Sequence, residues 1–294
     1  MRLNFSNVLV DAKHRLEKLK QDYDDFKIYD LGSFSLNYLT PKRGFDQQCQ
    51  IVYGPDPRHQ LDIFYSQVAK ASRPLIVFVH GGAWSHGNKK DYHFVGQALA
   101  SHGYDVVIIN YRLAPDYIFP SSVDDLHLAL DYLLQHQQQL NINTEKLVLM
   151  GHSAGAFNIM SVLYRQDMPV ALADKITAVI GLAGPYHFDY KNDPLCADAF
   201  DQELPYPAVM PYYFVYPNQI KHYLLIAEHD QIVAESNAID FYAQLKYHRN
   251  HAEMVIIPHT GHLTMIASLA SLFQPFFNTQ SEVLRVLEDA LSPA

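Results

Sequence analysis

The stretch LVLMGHSAGA, residues 147–156, is the most informative about the fold because it joins an apolar strand pattern directly to a helical one. Its centre, Gly-His-Ser-Ala-Gly, admits two interpretations. One is a tight strand–helix turn in which the serine is incidental, and the other is a turn that exposes the Ser153 hydroxyl for attack on a carbonyl carbon. Because G-x-S-x-G occurs by chance in many proteins, the rest of the chain has to supply a base, an acid and donors for an oxyanion.

Short apolar runs alternate with helical patterns on both sides of this stretch. Residues 49–54 and 60–66 predict an antiparallel hairpin with the turn PDPR between its strands. Buried strands are predicted at 74–80, 105–110, 146–150, 176–182, 222–227 and 253–257, and helices at 91–103, 122–140 (with a serine cap), 154–166, 233–248 and 281–291. Strands that are apolar on both faces and separated by helices are typical of parallel sheets. The sequence therefore predicts a single α/β domain over residues 1–294, with a mostly parallel, doubly wound sheet that starts in an antiparallel hairpin.

Two segments depart from this alternation. Residues 1–45 contain a helical pattern with mixed charges and a thin apolar stripe. We expect this helical segment to pack over the mouth of the site or against a second subunit of a homodimer. Residues 184–218, called the cap segment below, are rich in proline and tyrosine. Because a long loop inside a compact domain is usually functional, the cap segment is expected to be a small cap or a pocket wall.

Composition excludes several classes of protein. The net charge of −9 argues against a nucleic-acid partner, which would favour a basic face. The longest apolar runs are far shorter than a membrane span, and no secretory pattern opens the chain, so a cytoplasmic protein is expected. Cys49 and Cys196 are too few for a disulfide framework, so both are expected to be free and buried.

An acid and a base can be placed on the same edge of the predicted sheet as Ser153. Asp230 follows the strand at 222–227, and His262 follows the last strand. The order Ser, Asp, His is the one expected when a strand–helix turn carries the nucleophile. Since parallel strands end on one edge of the sheet, the three side chains are expected to meet there.

Other residues compete for these roles. His259 is an alternative base, three residues before His262 in the same loop. Glu228 and Asp240 are alternative acids, although Glu228 lies so near its strand that a cap or an ion pair is more plausible. Asp240 lies inside a predicted helix. The sequence favours Asp230 and His262 without excluding the others.

The segment HGGAW, residues 80–84, could stabilise an oxyanion. Backbone N–H groups at glycine can turn towards a developing negative charge without a Cβ in the way. The predicted donors are Gly81, Gly82, Ala83 and, from the serine turn, Ala154. By itself the segment could equally be a plain Gly-Gly turn.

Taken together, these features resemble the α/β-hydrolase superfamily, in particular the esterase branch related to hormone-sensitive lipase and kynurenine formamidase. The resemblance runs from about residue 50 to the C-terminus and rests on YGPDPRHQLDIFY, HGGAW, GYDVVIINYRLAP, FPSSVDD, GHSAG, GLAGPY, AEHD and GH. It implies Ser153 as nucleophile, His262 as base and Asp230 as acid. It also implies structural roles for Tyr111, Arg112, Pro115 and Asp124.

The expected function is hydrolysis of a small carboxylic ester through an acyl-enzyme. Hydrolysis of an arylformamide by the same groups is the alternative, suggested by H-G-G-x-W, and a binding module without catalysis is a third. No cofactor and no metal are expected, since the histidines show no metal-ligand spacing on a helix. The candidate pocket residues are Trp84, His152, Tyr186 and Tyr212.

Overall fold

The computed structural model describes residues 36–37, 40–41, 43–68, 74–165 and 167–292. The helical segment predicted within residues 1–45 therefore lies almost entirely outside the described residues. No helix in the described ranges is long and apolar enough to cross a membrane. Cys196 is buried as expected, but Cys49 is exposed on the first strand, and both are free thiols.

One eight-stranded sheet organises the described chain. Its strands are β1 (Phe45–Val52), β2 (Gln60–Ser66), β3 (Leu75–Val79), β4 (Asp105–Ile109), β5 (Leu147–His152), β6 (Ile176–Leu182), β7 (Lys221–Ala227) and β8 (Ala252–Ile257). They lie in the order β1-β2-β4-β3-β5-β6-β7-β8. Strand β2 pairs antiparallel with β1 and β4, and the other pairings are parallel. The predicted α/β class and the antiparallel N-terminal hairpin are confirmed.

Helices cover both faces of the sheet. They are α1 (His93–Ala100), α2 (Ser121–His136), α3 (Ala154–Leu163), α4 (Val170–Ala173), α5 (Ser236–Tyr247), α6 (His262–Ala267) and α7 (Thr279–Leu291). Strand β3 shows why both faces are apolar, because Val77 and Val79 enter the core under α2, α3 and α5. Ile76 and Phe78 enter the core under α1, α6 and α7.

Two details of the helices differ from the prediction. The pattern at 91–103 forms a 3₁₀ turn, Lys89–Tyr92, followed by the short helix α1. The expected serine cap of α2 is wrong, because Pro120 occupies the N-cap position and makes no side-chain cap bond. Ser122 instead donates its hydroxyl to Asn158 Oδ1 at 3.1 Å. The Ser122 hydroxyl, which the local sequence pattern predicted to cap the helix, thus makes a tertiary hydrogen bond instead.

The cap segment contains three 3₁₀ turns, Ala197–Ala199, Tyr206–Ala208 and Pro211–Phe214. Its apolar side chains form a third hydrophobic cluster with the loop after β3 and with α3. In that cluster the ring of Phe200 meets Trp84 edge-on at 4.7 Å between centroids, and Phe157 at 5.8 Å. The cluster holds the cap segment against the carboxyl edge of the sheet, where the site lies.

A buried ion pair links the loop after β4 to α2. The Arg112 guanidinium donates two-pronged bonds to both carboxylate oxygens of Asp125 at 2.7–3.0 Å, and the Asp125 side chain is 1% exposed. Asp124, to which the resemblance gave the structural role, is 45% exposed and pairs with Arg165. The structural role expected for Asp124 therefore belongs to the next residue, Asp125, because its side chain lies on the buried face of α2.

Removal of the buried carboxylate should destabilise the fold far more than removal of its neighbour. We expect Asp125→Ala to lower the free energy of unfolding by about 3–5 kcal/mol, since it leaves Arg112 without its buried partner. The matched variant Asp124→Ala should cost less than about 1 kcal/mol, because that pair is solvent-exposed. Urea denaturation of both variants measures the difference, and equal losses would contradict the assignment.

Candidate active site

Ser153 occupies a sharp turn between β5 and α3. Its backbone has φ 53° and ψ −121°, a left-handed conformation that costs a non-glycine residue energy and is maintained only by its surroundings. Gly155 explains the tightness of the turn, because a Cβ there would overlap the carbonyl oxygen of Val79 at the end of β3. The turn therefore packs closely against the start of the H-G-G-A-W loop.

Asp230 and His262 form a buried pair on the loops after β7 and β8. His262 Nδ1 donates to Asp230 Oδ2 at 2.8 Å, and the two side chains are 3% and 4% exposed. Asp230 Oδ1 also accepts the N–H groups of Ile232 and Val233 at 2.9 and 2.8 Å. Burial would raise the pKa of Asp230, but these hydrogen bonds hold it below its usual value.

The hydrogen bond from Nδ1 defines the state of the imidazole. With its proton on Nδ1, neutral His262 keeps a lone pair on Nε2 and can accept a proton there. In the part of the chain that the structure describes, no hydrogen bond joins the Ser153 hydroxyl to His262. Catalytic hydrogen bonds are often long or poorly aligned before substrate binds. His152 connects the two residues, since its Nε2 donates to the His262 carbonyl oxygen at 3.1 Å.

The competing candidates lie elsewhere. His259 is 82% exposed, and its backbone N–H donates to Glu228 Oε2 at 2.7 Å. Asp240 on α5 accepts a hydrogen bond from His187 Nδ1 at 2.9 Å. Neither acid contacts His262, so the structure brings together only Asp230 and His262 of the candidates that the sequence left open.

The H-G-G-A-W loop differs from the expectation at its first glycine. The N–H of Gly81 donates to the Tyr92 hydroxyl at 3.2 Å, so it is already used. The N–H groups of Gly82 and Ala83 have no acceptor among the described residues. Gly82, at φ 123°, has no room for a Cβ beside the backbone of His86. Ala154, the first residue of α3, offers one of the N–H groups that a helix start leaves without an internal partner.

Two buried side chains, His80 and Tyr111, make hydrogen bonds to the backbone of this loop. His80 Nδ1 donates to the Gly81 carbonyl oxygen at 2.8 Å, and the imidazole stacks on Tyr111 at 4.3 Å between centroids. Burial lowers the pKa of His80 to about 3, so the ring is neutral at physiological pH. The Tyr111 hydroxyl in turn donates to the His80 carbonyl oxygen at 3.0 Å. The loop is therefore held by a histidine that is neutral at physiological pH.

Two residues that position the loop were not among those predicted from the sequence. Tyr92 binds Gly81, and Asn158 Oδ1 accepts a hydrogen bond from Trp84 Nε1 at 3.0 Å. Tyr92 carries no local signal, since it is one of many tyrosines. Asn158 could have been noticed, because it is a polar residue on a helix whose other residues are small or apolar.

A cavity of about 150 Å³ opens beside Ser153. Its walls are largely apolar and include Ala83, Trp84, Phe188, Leu195, Ile232 and Val233. Ile232 also lines a more open cavity that contains His262. The serine and the histidine therefore open into neighbouring spaces.

Of the four expected pocket residues, only Trp84 lines this cavity. His152 is 1% exposed, beneath the site, and Tyr186 is 1% exposed and stacks on Phe241 in the core. Tyr212 stacks on His187 at 4.1 Å between centroids. These three side chains therefore do not line the cavity beside Ser153.

One group of metal-ligand side chains occurs among the described residues, and it lies away from this site. Cys49, Asp62 and His93 bring their donor atoms within 4.8 Å of one another. The Asp62 carboxylate already accepts hydrogen bonds from Lys89 Nζ at 2.6 Å and from His93 Nε2 at 2.7 Å. The ammonium group neutralises the charge that would attract a cation.

The doubly wound sheet and the strained serine between β5 and α3 define an α/β-hydrolase. The chain belongs to the BD-FAE family, whose model matches residues 61–245. A probable isoprenylcysteine alpha-carbonyl methylesterase of Arabidopsis thaliana is 30% identical over 145 residues, 47% of this chain and 30% of that protein. Kynurenine formamidase of Drosophila melanogaster is 30% identical over 149 residues, 50% of this chain and 48% of that protein. The chain thus spans less than half the length of these curated relatives.

Solved structures show the same fold over most of the chain. Esterase B of Lactobacillus rhamnosis has a TM-score of 0.76 at 19% identity, covering 94% of this chain and 96% of that one. A bacterial heroin esterase has a TM-score of 0.74 at 18% identity, covering 91% of each chain. These structures confirm the predicted fold. The family model and the curated relatives confirm the resemblance to the α/β-hydrolase superfamily and its esterase and formamidase branch.

The buried neutral histidines make the fold sensitive to acid. Burial lowers the pKa of His80 and of His152 to about 3 and that of His222 to about 4, from an ordinary value of 6.5. Between pH 6.5 and pH 4 the unfolded chain therefore binds protons that the folded chain does not, so stability falls as the pH falls.

We expect the urea midpoint to decrease steadily from pH 7 to pH 4.5, with each ring contributing up to about 1.4 kcal/mol per pH unit. His222 lies outside the site. His222→Gln should therefore make the urea midpoint fall less steeply with decreasing pH, because the contribution of this one imidazole is removed. A midpoint that stays constant over this range would contradict the neutral state of these histidines.

Proposed function

We propose that this protein is a serine hydrolase that cleaves small carboxylic esters with Ser153, His262 and Asp230. The observation that carries the proposal is the buried Asp230–His262 hydrogen bond of 2.8 Å, close to a serine in a strained strand–helix turn. A carboxylate paired with an imidazole helps the imidazole to accept a proton, and a serine in a strand–helix turn of this kind can act as a nucleophile. The esterase names of the relatives support the same class of reaction.

In the proposed mechanism His262 Nε2 takes the proton of Ser153 as the hydroxyl oxygen attacks the ester carbonyl carbon. Asp230 stabilises the resulting imidazolium and keeps the ring oriented. The tetrahedral intermediate expels the alcohol, which receives the proton from His262. A water molecule, deprotonated by the same nitrogen, then attacks the acyl-enzyme and releases the acid.

The negative oxygen of the tetrahedral intermediate would rest on the N–H groups of Gly82, Ala83 and Ala154. The first two have no acceptor among the described residues, and the third begins helix α3. Donors that are already oriented cost no reorganisation as charge develops, and each contributes about 10²–10³ in rate. Gly81 is excluded from this proposal because its N–H binds Tyr92.

We also propose that residues 1–294 form one domain in which the cap segment is a wall of the substrate site. It contributes Pro185, Phe188 and Leu195 to the cavity beside Ser153. A cavity of about 150 Å³ accommodates a short acyl or alcohol chain better than a long one. The homodimer and the cytoplasmic location expected from the sequence stay predictions.

Hydrolysis of an arylformamide is the second candidate. Kynurenine formamidase of Drosophila melanogaster shares 30% identity over 149 residues with this chain. The same nucleophile, base and oxyanion donors could act on a formamide carbonyl. Rates on N-formylkynurenine and on p-nitrophenyl acetate, measured side by side, distinguish the two. A catalytically inactive binding module would cleave neither and would resist labelling of Ser153 by a fluorophosphonate.

Removal of the nucleophile should abolish turnover. We expect Ser153→Ala to lower kcat on p-nitrophenyl acetate by roughly 10⁴–10⁶, because no other group can form the acyl-enzyme. Wild type should favour the acetate and butyrate esters over the octanoate. Ser161→Ala, on the same helix but outside this cavity, is the matched control and should retain activity. Full activity of Ser153→Ala would refute the mechanism.

Substitution of the acid separates Asp230 from its competitor. We expect Asp230→Asn to lower kcat by about 10³–10⁴ with KM little changed, since the amide favours the wrong tautomer of His262. Asp240→Asn should leave kcat near that of wild type, because Asp240 binds His187. Steady-state kinetics on the acetate ester measure both, and a larger loss in Asp240→Asn would reverse the assignment.

A further inference from the structure

The cavity beside Ser153 contains one carboxylate in walls that are otherwise uncharged. Asp193, from the cap segment, lines it together with Trp84, Phe188 and Leu195. No lysine, arginine or histidine is among its lining residues in the described part of the chain. A substrate group that enters this cavity therefore meets a single fixed charge, and that charge is negative.

One oxygen of Asp193 suffices for its local structural role. Oδ1 accepts the N–H of Leu195 at 3.0 Å, which closes a tight turn. Oδ2 has no hydrogen-bond or ion-pair partner in the ranges that the structure describes. An asparagine would retain the turn, so the negative charge is not required for folding at this position.

Two aromatic rings complete the environment. The rings of Trp84 and Phe188 are parallel within 3°, with centroids 6.1 Å apart, and both line the cavity. Aromatic faces carry partial negative charge and attract organic cations, most strongly in the case of tryptophan. A cavity whose lining combines aromatic rings with a carboxylate suits an alkylammonium group better than a neutral or anionic one.

The thiol of Cys196, which also lines the cavity, is affected by the Asp193 carboxylate. Burial, followed by the charges of Asp193 and Asp189, raises the pKa of the Cys196 thiol well above its usual range. A second anion in this wall is therefore disfavoured. Lys191, two residues before Asp193 in the sequence, lies over the rings of Tyr190 and Tyr206, at 5.9 and 5.6 Å, and does not line the cavity.

We propose that the cavity walled by Asp193, Trp84 and Phe188 binds a cationic group of the substrate, so that the preferred esters carry an alkylammonium a few bonds from the carbonyl. This inference rests on the proposed ester hydrolysis for its turnover assay. Asp193 is then a residue that determines specificity, and the cap segment supplies charge recognition as well as a wall.

The test compares esters that differ only in charge. Acetylcholine and 3,3-dimethylbutyl acetate are isosteric on the alcohol side. The p-nitrophenyl esters of 4-(trimethylammonio)butyrate and 5,5-dimethylhexanoate are isosteric on the acyl side. In at least one pair, wild type should show a kcat/KM for the cation that is about fivefold to thirtyfold higher than for the neutral ester.

Asp193→Asn should bring that ratio close to one, because it removes the charge and keeps the turn. Asp201→Asn is the matched control: Asp201 closes a similar turn in the cap segment, with Oδ1 accepting the N–H of Glu203 at 2.9 Å, outside the cavity. It should retain the wild-type ratio. A wild-type ratio at or below one in both pairs, or a ratio unchanged by Asp193→Asn, overturns the inference while ester hydrolysis stands.

If no ester is cleaved, the proposed function fails, and binding then decides the inference. Calorimetric titration of the wild-type protein with choline and with its neutral isostere 3,3-dimethylbutanol does not depend on turnover. Tighter binding of choline that is lost in Asp193→Asn supports the cation site. Equal or absent binding of the two probes refutes it.

Discussion

The contact between Gly155 and the carbonyl oxygen of Val79 is the constraint on which the site depends. A side chain at this position would separate α3 from the end of β3. With glycine there, the turn that carries Ser153 lies against the loop that presents Gly82 and Ala83. The strained backbone of Ser153 is sustained by the packed strands on either side. Two segments far apart in sequence thereby face one small volume.

Histidines around this volume serve different purposes because their polar partners differ. His262 donates a hydrogen bond from its Nδ1 to the buried Asp230 carboxylate. His80 and His152 bind only backbone carbonyl oxygens and are held neutral by burial. They hold the H-G-G-A-W loop and the backbone of His262. One residue type thus supplies both a partner for a buried carboxylate and rigid supports for two loops.

The cap segment connects packing with recognition. Its aromatic residues anchor on Trp84 and Phe157, so the wall of the cavity is continuous with the hydrophobic cluster beneath it. Trp84 belongs to the H-G-G-A-W loop, packs in this cluster and lines the cavity. Its indole N–H donates a hydrogen bond to Asn158 Oδ1. Changes in the cap segment should therefore alter the cavity both through the residues that the segment itself contributes and through Trp84.

Local patterns determined much of this protein without tertiary information. Apolar strand and helix periodicity predicted the parallel sheet, and chain order placed Ser153, Asp230 and His262 at strand ends on one edge. Contacts between distant residues could not be derived in this way. Three pairings depend on which side chains meet in space: His262 with Asp230 and not Asp240, Arg112 with Asp125 and not Asp124, and the Gly81 N–H with Tyr92. Periodicity is a property of neighbouring residues, whereas hydrogen-bond partners and cavity walls arise only when packed elements bring remote residues within a few ångströms.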